Sequence, residues 1–373
     1  WETSKNHYRA RVLTPDKENA MKEQILMRLN LGVLQESHAE YWSQLHMVPK
    51  ADGRWRMTID FRSLNDTIKS KNWSLPQIDI LIQEIGKRRP KYFAILDMVD
   101  GYFQMPLHID SRVFTAFIIK DQLLEWTRVP QGLKSASAHF QKAMEQEVLR
   151  GLIGEKLQGF LDDICIHGKN DIEFVDNCRA AFERFRKFNI KLSPKKVRLG
   201  SSEEVLLGHT INENGWSFHR DKLLGVNDFV KPTNAKQLHT FIGLCNYFRS
   251  HVKDASQLMM PMYDLMKEFK GQKNLVWTPE STSNFEALKK AIFELPTLFF
   301  VNPEAEVFVQ TDASDYGISG YVFQKIDGKE VIIAFFSQAL HNAQLRWSTF
   351  EKEAFAIVRS LKRFEYLLSG ITF

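Results

Sequence analysis

The pattern of apolar and polar positions in the first 225 residues predicts helices that alternate with pairs of antiparallel strands. Apolar side chains recur at helical spacing over residues 17–35, which predicts an amphipathic helix. Two strand patterns over 44–60 flank the turn signal Ala51-Asp52-Gly53 and predict a hairpin. The same reasoning predicts helices at 136–149 and 174–188 and strands at 92–96, 113–119, 123–129, 157–161, 164–167 and 205–211.

The pattern changes after about residue 225. Lys231-Pro232-Thr233-Asn234 interrupts it, and helical spacing follows at 235–249, 254–269 and 282–294. Pro296 and Pro303 mark a second boundary, and a helix is predicted at 347–368 after three strand patterns at 306–312, 317–325 and 330–337. We therefore predict an α+β fold with domains at 1–225, 226–303 and 304–373.

Composition narrows the class of protein. Hydrophobic residues make up 44% and charged residues 25% of the 373 positions, which is typical of a soluble globular protein rather than a disordered tail. No apolar run approaches the ~18 residues that a membrane helix needs. The net charge of +5 is weak evidence for a polyanionic partner. Cys165, Cys178 and Cys245 are odd in number and widely spaced, which argues against a disulfide framework or zinc cluster and fits a reducing compartment.

Three aspartates are the strongest candidates for chemistry. Asp162 and Asp163 lie between two predicted strands, and Asp97 ends another. If these strands are neighbours in one sheet, the three carboxylates lie close together, where a cation is needed to offset their repulsion. Oxygen ligands suit Mg²⁺, and two such ions ~3.5–4 Å apart hold both the attacking and the leaving oxygen of a phosphoryl transfer. The alternative is an ordinary solvated hairpin turn.

Six segments together resemble the reverse transcriptases of gypsy-type LTR retrotransposons and retroviruses. The FLDD sequence at 160–163 is similar to the family's metal-binding box, and the segment around Asp97 is similar to its first palm motif. The others resemble, in the family's order, a fingers motif at 55–65, a nucleotide-binding segment at 129–141, a lysine motif at 192–196 and a primer grip at 206–209. The resemblance extends over nearly the whole chain. It implies a right-hand polymerase with fingers, palm and thumb or connection, followed by the N-terminal part of a ribonuclease H-like α/β domain.

For the aspartates, the resemblance implies that Asp97, Asp162 and Asp163 are catalytic and hold two Mg²⁺ ions, for which Mn²⁺ can substitute. It implies an RNA-directed and DNA-directed DNA polymerase, a nucleotidyltransferase that extends a primer with dNTPs during retroelement replication. The expected partners are dNTPs and an RNA or DNA template with its primer, with a homodimer as an open option and no membrane. The expected location is cytoplasmic, in the virus-like particle of a retroelement.

Five further residues are expected to bind the incoming nucleotide, and each also has a purely structural interpretation. By resemblance, Lys50 and Arg56 grip the triphosphate, for which a guanidinium provides bidentate donors; the alternative is a solvated edge strand. Tyr102 corresponds to a sugar gate, whose ring occupies the space that a 2′-hydroxyl would need, and a core tyrosine is the alternative. Gln131 and Gly132 are expected to lie under the nucleotide.

The resemblance also assigns roles to residues that follow the aspartates. Lys196, or alternatively Lys195, is expected to protonate the departing pyrophosphate, and a charged loop lysine is the competing interpretation. Leu207, Gly208 and His209 are expected to form the primer grip, in which Gly208 permits close approach of the backbone to the primer. The alternative for these three residues is an ordinary strand.

Four positions depart from the pattern that is usual in gypsy-type enzymes. Gln131 stands where Phe is usual, Asp100 replaces Ser, and Ser137 replaces Pro. Phe160 keeps the ring of the usual tyrosine without its hydroxyl. None of the four is a candidate metal ligand, so we expect them to affect substrate positioning rather than the reaction.

Residues 304–373 resemble the start of a ribonuclease H domain. Asp312 and Glu353 correspond to two of that domain's acids. Because cleavage in the family uses four carboxylates around two metals, we expect this truncated stretch not to cut RNA in an RNA–DNA hybrid. We expect the open edge of its sheet to be covered by the connection helices or by a second copy of the chain.

Two other functions compete with a DNA polymerase. A catalytically silent scaffolding subunit could retain the aspartates in a collapsed cleft. An RNA polymerase with a related palm would share them, and Tyr102 at the position of the sugar gate argues against it. Primer extension with dNTPs or NTPs distinguishes the three functions.

Overall fold

The computed structural model of the protein describes residues 8–50, 52–69, 73–195, 197–269 and 275–373. Its helices in chain order are α1 (Pro15–Asn30), α2 (Arg62–Thr67), α3 (Ile78–Gly86), α4 (Ile109–Arg112), α5 (Ala136–Ala143), α6 (Asp171–Lys187), α7 (Arg220–Asn227), α8 (Ala235–Phe248), α9 (Ala255–Glu268), α10 (Pro279–Phe293) and α11 (Thr349–Leu368). Its strands are β1 (Leu34–Glu36), β2 (Ser43–Pro49), β3 (Trp55–Asp60), β4 (Tyr92–Asp97), β5 (Phe117–Ile119), β6 (Gln122–Trp126), β7 (Leu157–Phe160), β8 (Asp163–Gly168), β9 (Arg198–Ser201), β10 (Glu203–Leu206), β11 (His209–Asn212), β12 (Gly215–Phe218), β13 (Leu298–Phe299), β14 (Val307–Ala313), β15 (Gly317–Ile326) and β16 (Lys329–Ala339). The mixture of helices with mostly antiparallel strands confirms the predicted α+β class.

Within the described residues, the strands form four sheets. One sheet has the order β1-β6-β5-β2-β3, in which β2 and β5 are parallel. A second has the order β7-β8-β4-β9, so the strand that ends at Asp97 is the neighbour of the strand that begins at Asp163. The other two have the orders β10-β11-β12-β13 and β14-β15-β16.

The chain divides into two compact units. The first comprises Trp1–Pro76, Leu96–Ile166 and Asp176–Arg198, and the second comprises Gln77–Ile95, His167–Val175 and Leu199–Phe373. The three domains that the sequence suggests, 1–225, 226–303 and 304–373, stay a prediction. No helix in the described part of the chain is long and apolar enough to span a membrane.

The core of the first unit lies between α1 and the sheet that contains the β2–β3 hairpin. Met21 and Ile25 are buried one turn apart in α1, because residues four apart lie on the same face of a helix. Leu45 and Met47 are buried at alternate positions of β2, and β3 has the same alternation, as expected for a sheet with one covered face. Burying a side chain of this size stabilises the fold by roughly 1.5–3 kcal/mol.

The second unit has a helical core and a separate core in its C-terminal part. Buried side chains of α8, α9 and α10 form the helical core, in which the rings of Phe241 and Phe285 lie 4.6 Å apart. In the C-terminal part, α11 packs against β14 and β15. α11 begins at a capping box, in which Ser348 and Glu351 exchange hydrogen bonds between side chain and backbone.

The prediction of one strand at 205–211 is wrong. Strands β10 and β11 pair antiparallel with Leu206 opposite His209, which leaves Leu207 and Gly208 as a two-residue turn. Both turn residues have positive φ angles, 51° and 80°, as in the type I′ turn that matches the twist of the flanking strands. The sequence concealed this turn because leucine occupies a position where asparagine, aspartate or glycine is usual.

Most of the other predicted elements are present with shifted ends. The helix predicted over 17–35 ends at Asn30, because Gly32 takes a φ of 65° and the chain then enters β1. The helix predicted over 136–149 is α5 followed by a π-helical turn at Met144–Val148. The hairpin predicted over 44–60 is confirmed as β2 and β3, and Ala51 of its turn lies outside the described residues.

Candidate active site

The turn between β7 and β8 carries two of the three aspartates. Phe160 pairs with Asp163, which leaves Leu161 and Asp162 as a two-residue turn. Leu161 has a φ of 54°, a left-handed conformation that costs roughly 1–2 kcal/mol for a residue with a Cβ. Because such strained residues concentrate at functional sites, the backbone itself marks this turn as a candidate site.

The third aspartate, Asp97, lies at the end of β4, and hydrogen bonds fix the chain around it. Its carbonyl oxygen accepts a hydrogen bond from Ser193 N at 2.9 Å. Gln104 Nε2 donates to the carbonyl oxygens of Val99 and Lys191 at 2.6 and 2.9 Å. β4 and β8 are neighbours in their sheet, so the condition set for the aspartates, that their strands lie side by side, is met for Asp97 and Asp163.

Gly101, four residues after Asp97, lies directly against the aspartate turn. A Cβ at Gly101 would lie 3.2 Å from Asp162 Cβ and 3.3 Å from Phe140 Cζ. Contacts this short are tighter than ordinary van der Waals packing, so any larger residue would push the loop away from Asp162. Glycine at this position therefore permits the close approach of the two segments.

Tyr102 is half-buried beside α5. Its hydroxyl lies 2.9 Å from Ser137 Oγ, and its ring lies 5.2 Å from the ring of Phe140. Ser137 is one of the four residues that depart from the pattern usual in gypsy-type enzymes. The ring is therefore held both by packing and by a hydrogen bond, which gives it a defined position.

A cavity of about 120 Å³ lies between α1, the β2–β3 hairpin and the loop at 100–103. Two predicted triphosphate ligands, Lys50 and Arg56, line it, together with the predicted nucleotide contact Gln131. Arg56 is exposed and Lys50 half-buried, so both can reach a ligand that enters from solvent. Asp100 lines the same cavity.

A third basic residue, Arg28 of α1, also lines this cavity. Its Nη1 donates to Gln24 O at 2.9 Å, and its guanidinium lies 5.6 Å from the ring centre of Phe103. Its Nε is buried and has no hydrogen-bond partner among the described residues. Burial lowers the pKa of Arg28, and the nearby charge of Asp100 acts in the opposite direction. The cavity is thus basic on more than one wall.

The loop that contains Gln131 and Gly132 is fixed by Asn65 of the predicted fingers motif. Asn65 Nδ2 donates to Gly132 O at 2.9 Å, and Asn65 Oδ1 accepts from Lys134 N at 2.7 Å. Gly132 has a φ of 98°, which disfavours residues with a Cβ. Gln131 is exposed at the start of this loop, so its side chain is available to a ligand in the cavity.

The donor chemistry of the aspartates can be compared with that of a metal site. Asp97, Asp162 and Asp163 offer the oxygen ligands that Mg²⁺ prefers, and all three are partly exposed. Across the described ranges, no group of three or more His, Cys, Asp or Glu side chains is arranged so that it could hold a metal ion. Mg²⁺ is usually bound by one or two carboxylates together with waters and substrate phosphates, rather than by an all-protein cage. The described residues thus do not bring the three carboxylates together as one metal-binding group, contrary to the expectation for neighbouring strands. Their oxygens fit Mg²⁺ only in company with waters and the phosphates of a substrate.

The predicted primer grip belongs to the second unit. Leu207 and Gly208 form the β10–β11 turn, and His209 begins β11 with only 3% of its surface exposed. The His209 ring lies 4.5 Å from that of Phe218, and the ring of His251 lies 4.4 Å from that of Trp216. Burial lowers the pKa of His209 to about 4. For His251, burial and the neighbouring His209 lower the pKa well below its usual value.

The remaining predicted residues are two lysines and two acids. Lys196 lies outside the described residues, and its alternative Lys195 is exposed. Asp312 is exposed on β14, and Glu353 is half-buried on α11. Their roles stay predictions.

Sequence reasoning missed Arg28 and Gln141 as candidate site residues. Arg28 follows Gln24 by four positions in α1, so a polar stripe beside the apolar face was the available signal. Gln141 lies in the segment at 129–141 that carried the resemblance, and nothing in the sequence indicates that its side chain contacts the aspartate turn.

Two stretches of the chain match known protein families. Residues 48–211 match the family described as reverse transcriptase (RNA-dependent DNA polymerase). Residues 277–373 match the RNase H-like domain found in reverse transcriptase. Both matches are to domains of reverse transcriptases, so the resemblance predicted from the motifs is confirmed.

One curated protein and two solved structures resemble the chain over nearly its whole length. The chain is 28% identical over 378 residues to the transposon Tf2-3 polyprotein of Schizosaccharomyces pombe, which covers 99% of this chain and 28% of that protein. The foamy viral protease-reverse transcriptase dRH in complex with double-stranded DNA has a TM-score of 0.86 at 25% identity and covers 98% of this chain and 64% of that one. The foamy viral protease-reverse transcriptase in complex with an RNA/DNA hybrid has a TM-score of 0.83 at 25% identity and covers 98% and 48%. The chain therefore spans about 28% of the length of the curated relative.

Proposed function

We propose that this chain is an RNA-directed and DNA-directed DNA polymerase that extends a primer with dNTPs by two-metal phosphoryl transfer. The observation that carries the proposal is that the three consecutive residues 100–102 link the basic cavity to the aspartate turn. Asp100 lines the basic cavity, Gly101 lies against Asp162, and Tyr102 packs beside α5. A nucleotide whose phosphates enter the cavity is therefore separated from the aspartate turn by a single short loop.

In this proposal Asp97, Asp162 and Asp163 hold the two Mg²⁺ ions, which when bound neutralise charge at the attacking and leaving oxygens. Asp162 and Asp163 directly follow the apolar residues Phe160 and Leu161, and Asp97 ends an apolar strand, so the turn itself contains no lysine or arginine. The partly exposed carboxylates stay accessible to a substrate that carries its own phosphates.

The basic residues of the cavity bind the triphosphate. Arg56 and Lys50 supply donors on the hairpin, and the planar guanidinium of Arg56 suits a pair of phosphate oxygens. Arg28 adds positive charge from α1. Gln131 contacts the nucleotide from the loop that Asn65 holds in place.

Tyr102 selects the sugar. Its ring is held by Ser137 and Phe140, so it cannot move aside for a 2′-hydroxyl without losing both contacts. Leu207, Gly208 and His209 are proposed to hold the primer through the backbone of their turn. A template with its primer is the proposed partner, which is supported by the double-stranded DNA and RNA/DNA hybrid in the two foamy viral complexes. A homodimer and a location in virus-like particles stay predictions.

Primer extension tests the proposal. A labelled DNA primer is annealed to an RNA or a DNA template and incubated with Mg²⁺ and either dNTPs or NTPs. We expect wild type to extend with dNTPs on both templates. We expect Asp97→Asn to lose about 1000-fold or more, since two-metal stabilisation contributes several kcal/mol. Asp110→Asn is the matched control, because its exposed carboxylate pairs with His108 on the surface, and we expect it to stay within about twofold of wild type.

Each competing function has its own outcome. Asp97→Asn activity within tenfold of wild type contradicts the catalytic role of that carboxylate. A preference for NTPs in wild type favours an RNA polymerase. Folded wild type that binds template and primer without extending the primer favours a scaffolding subunit.

A further inference from the structure

The turn that carries Asp162 is held by the side chain of Gln141 in α5. Gln141 is buried, with 1% of its surface exposed. Its Oε1 accepts a hydrogen bond from Leu161 N at 2.6 Å, and its Nε2 donates to Gly159 O at 3.1 Å. One amide thus binds the backbone on both sides of Phe160, including the strained first residue of the turn.

Glu145 fixes which way this amide faces. Glu145 Oε1 accepts from Gln141 Nε2 at 2.6 Å, and Glu145 Oε2 accepts from the indole Nε1 of Trp73 at 3.1 Å. An ionised carboxylate can only accept hydrogen bonds, so the nitrogen of Gln141 must face Glu145. The N–H of Leu161 can only donate, so the oxygen of Gln141 must face the turn. Two independent requirements therefore select the same amide orientation.

The local helix geometry brings these groups together. Gln141 and Glu145 are four residues apart, the spacing at which side chains meet on one face of a helix. Glu145 lies in the π-helical turn Met144–Val148, which directly follows α5. Such turns occur frequently at functional sites.

We propose that Gln141 is a positioning residue for the polymerase reaction, which holds Leu161 in its left-handed conformation and thereby sets the place of the Asp162 carboxylate. Glu145 and Trp73 lock the orientation of its amide. The physical reason is that Leu161 would break its hydrogen bond to Gln141 on leaving the left-handed region. The amide oxygen of a side chain that is only 1% exposed would then lack a donor, which is costly. This inference rests on the proposed polymerase function, and its test separates the two.

The first test measures the turn directly, without activity. Hydrogen exchange of the Leu161 amide is followed in protein labelled with ¹⁵N-leucine, with Leu157 of the neighbouring strand as internal reference. We expect Gln141→Leu to speed exchange at Leu161 at least tenfold and to leave Leu157 within about twofold. Gln158→Leu is the matched control, because Gln158 is also a buried glutamine, 8% exposed, in β7.

The second test measures catalysis. We expect Gln141→Leu to lower kcat for dNTP addition by about 10- to 100-fold while KM for dNTP stays within about threefold, because the basic cavity is untouched. Gln158→Leu should keep kcat within about threefold. We also expect the double variant Gln141→Leu/Leu161→Gly to regain at least fivefold in kcat, because glycine adopts a positive φ without the penalty of a Cβ. A merely stabilising role of Gln141 predicts no such rescue, since glycine loosens the unfolded chain.

The outcomes separate the inference from the function on which it rests. Unchanged Leu161 exchange in Gln141→Leu overturns the positioning role, whether or not the chain is a polymerase. Active wild type with inactive Asp97→Asn but normal Gln141→Leu overturns the inference alone. Equal losses of activity and stability in Gln141→Leu and Gln158→Leu also overturn it. If Gln141→Leu speeds exchange at Leu161 but wild type does not extend primers, the support of the turn by Gln141 is confirmed and the proposed polymerase function is contradicted.

Discussion

Two hairpin turns of this chain begin with a leucine in the left-handed conformation, and they are stabilised in different ways. In the β7–β8 turn, the N–H of Leu161 donates to the buried amide of Gln141 at 2.6 Å. In the β10–β11 turn, Leu207 is followed by Gly208, which takes a positive φ without strain, and the next residue His209 is buried among aromatic rings. The first turn is supported by a buried side-chain amide. The second is supported by aromatic packing around His209 and by a backbone hydrogen bond from His219 N to Gly208 O at 3.0 Å.

This difference matches the role proposed for each turn. Hydrogen bonds are directional, so the amide of Gln141 fixes the turn to within a narrow range of angles. Apolar packing is non-directional and stabilises in proportion to the area buried. Under the proposed function the first turn must place the Asp162 carboxylate accurately, for which directional support is suited. The second turn would offer its backbone to the primer, for which packing of the residue that follows the turn is sufficient.

The sharpest test of this comparison is Asp162→Asn in the first turn. Because asparagine has nearly the same shape, we expect the fold to survive while primer extension falls about 1000-fold or more, through loss of a negative metal ligand. The measurements are kcat and the urea midpoint. A loss of stability as large as the loss of activity would show that the carboxylate supports the turn rather than the reaction.

The second turn should respond to pH in its stability. Burial lowers the pKa of His209 to about 4, below the value of about 6.5 in an unfolded chain, so the unfolded state binds the proton more tightly. Stability is then fully present above about pH 6.5 and is lost as the pH falls from 6.5 towards 4, by about 2 kcal/mol at pH 5 and about 3 kcal/mol in all. His251, whose pKa is lowered in the same direction, adds to this loss.

Urea unfolding of wild type and of His209→Phe at pH 7.5 and pH 5 measures this effect. The variant keeps an aromatic ring beside Phe218 and cannot bind a proton. We expect it to retain part of the pH dependence, from His251, and to lose the share that belongs to His209. Identical pH dependence in the two proteins would remove His209 as a cause.

A smaller effect is expected at Tyr102, whose ring is held in the first unit by packing and by one hydrogen bond. We expect Tyr102→Val to lower the ratio of kcat/KM for dNTP over NTP about tenfold or more, because the space for a 2′-hydroxyl opens, an effect of about 1.4 kcal/mol. Tyr102→Phe keeps the ring and loses only the contact with Ser137 at 2.9 Å, so its ratio should stay within about threefold of wild type. An unchanged ratio in Tyr102→Val would make Tyr102 a packing residue.

The smallest expected effect tests the backbone of the second turn. Gly208 has a φ of 80°, so Gly208→Ala should cost about 1 kcal/mol of stability. Gly243 lies within α8 with nothing within 4 Å of a Cβ, so Gly243→Ala should instead stabilise by roughly 0.5–1 kcal/mol. Thermal unfolding of both variants provides the comparison. The same sign for both substitutions would contradict the turn geometry assigned to Gly208.

Much of the fold followed from local patterns in the sequence. The alternation of apolar and polar residues in β2 and β3 and the helical spacing of apolar residues in α8, α9 and α10 predict these elements, because each element buries one face. The prediction of a single strand at 205–211 is wrong because apolar residues lie on both sides of the turn and the turn contains no asparagine or aspartate. Propensity could not reveal that Leu207 adopts a positive φ, since the surrounding packing imposes it.

The candidate site was predictable in part. The aspartates and the FLDD sequence stood out because acidic residues at the ends of apolar strands are unusual. The contact of Gly101 with Asp162 and the bond from Asn65 to Gly132 join residues 61 and 67 positions apart in the chain, and nothing local to either partner indicates them. Gln141 looked like any other polar helix residue.

The sequence by itself determined that the three aspartates could do chemistry and where most of the helices and strands would lie, because side-chain type and apolar period are local properties. The tertiary structure alone decided that β4 lies beside β8, that Arg28 shares a cavity with Arg56, and that Gln141 holds the turn of Asp162. These facts depend on pairs of residues that meet only when the chain has folded. Burial then decides which polar atoms must find partners, and so which side chain supports the site.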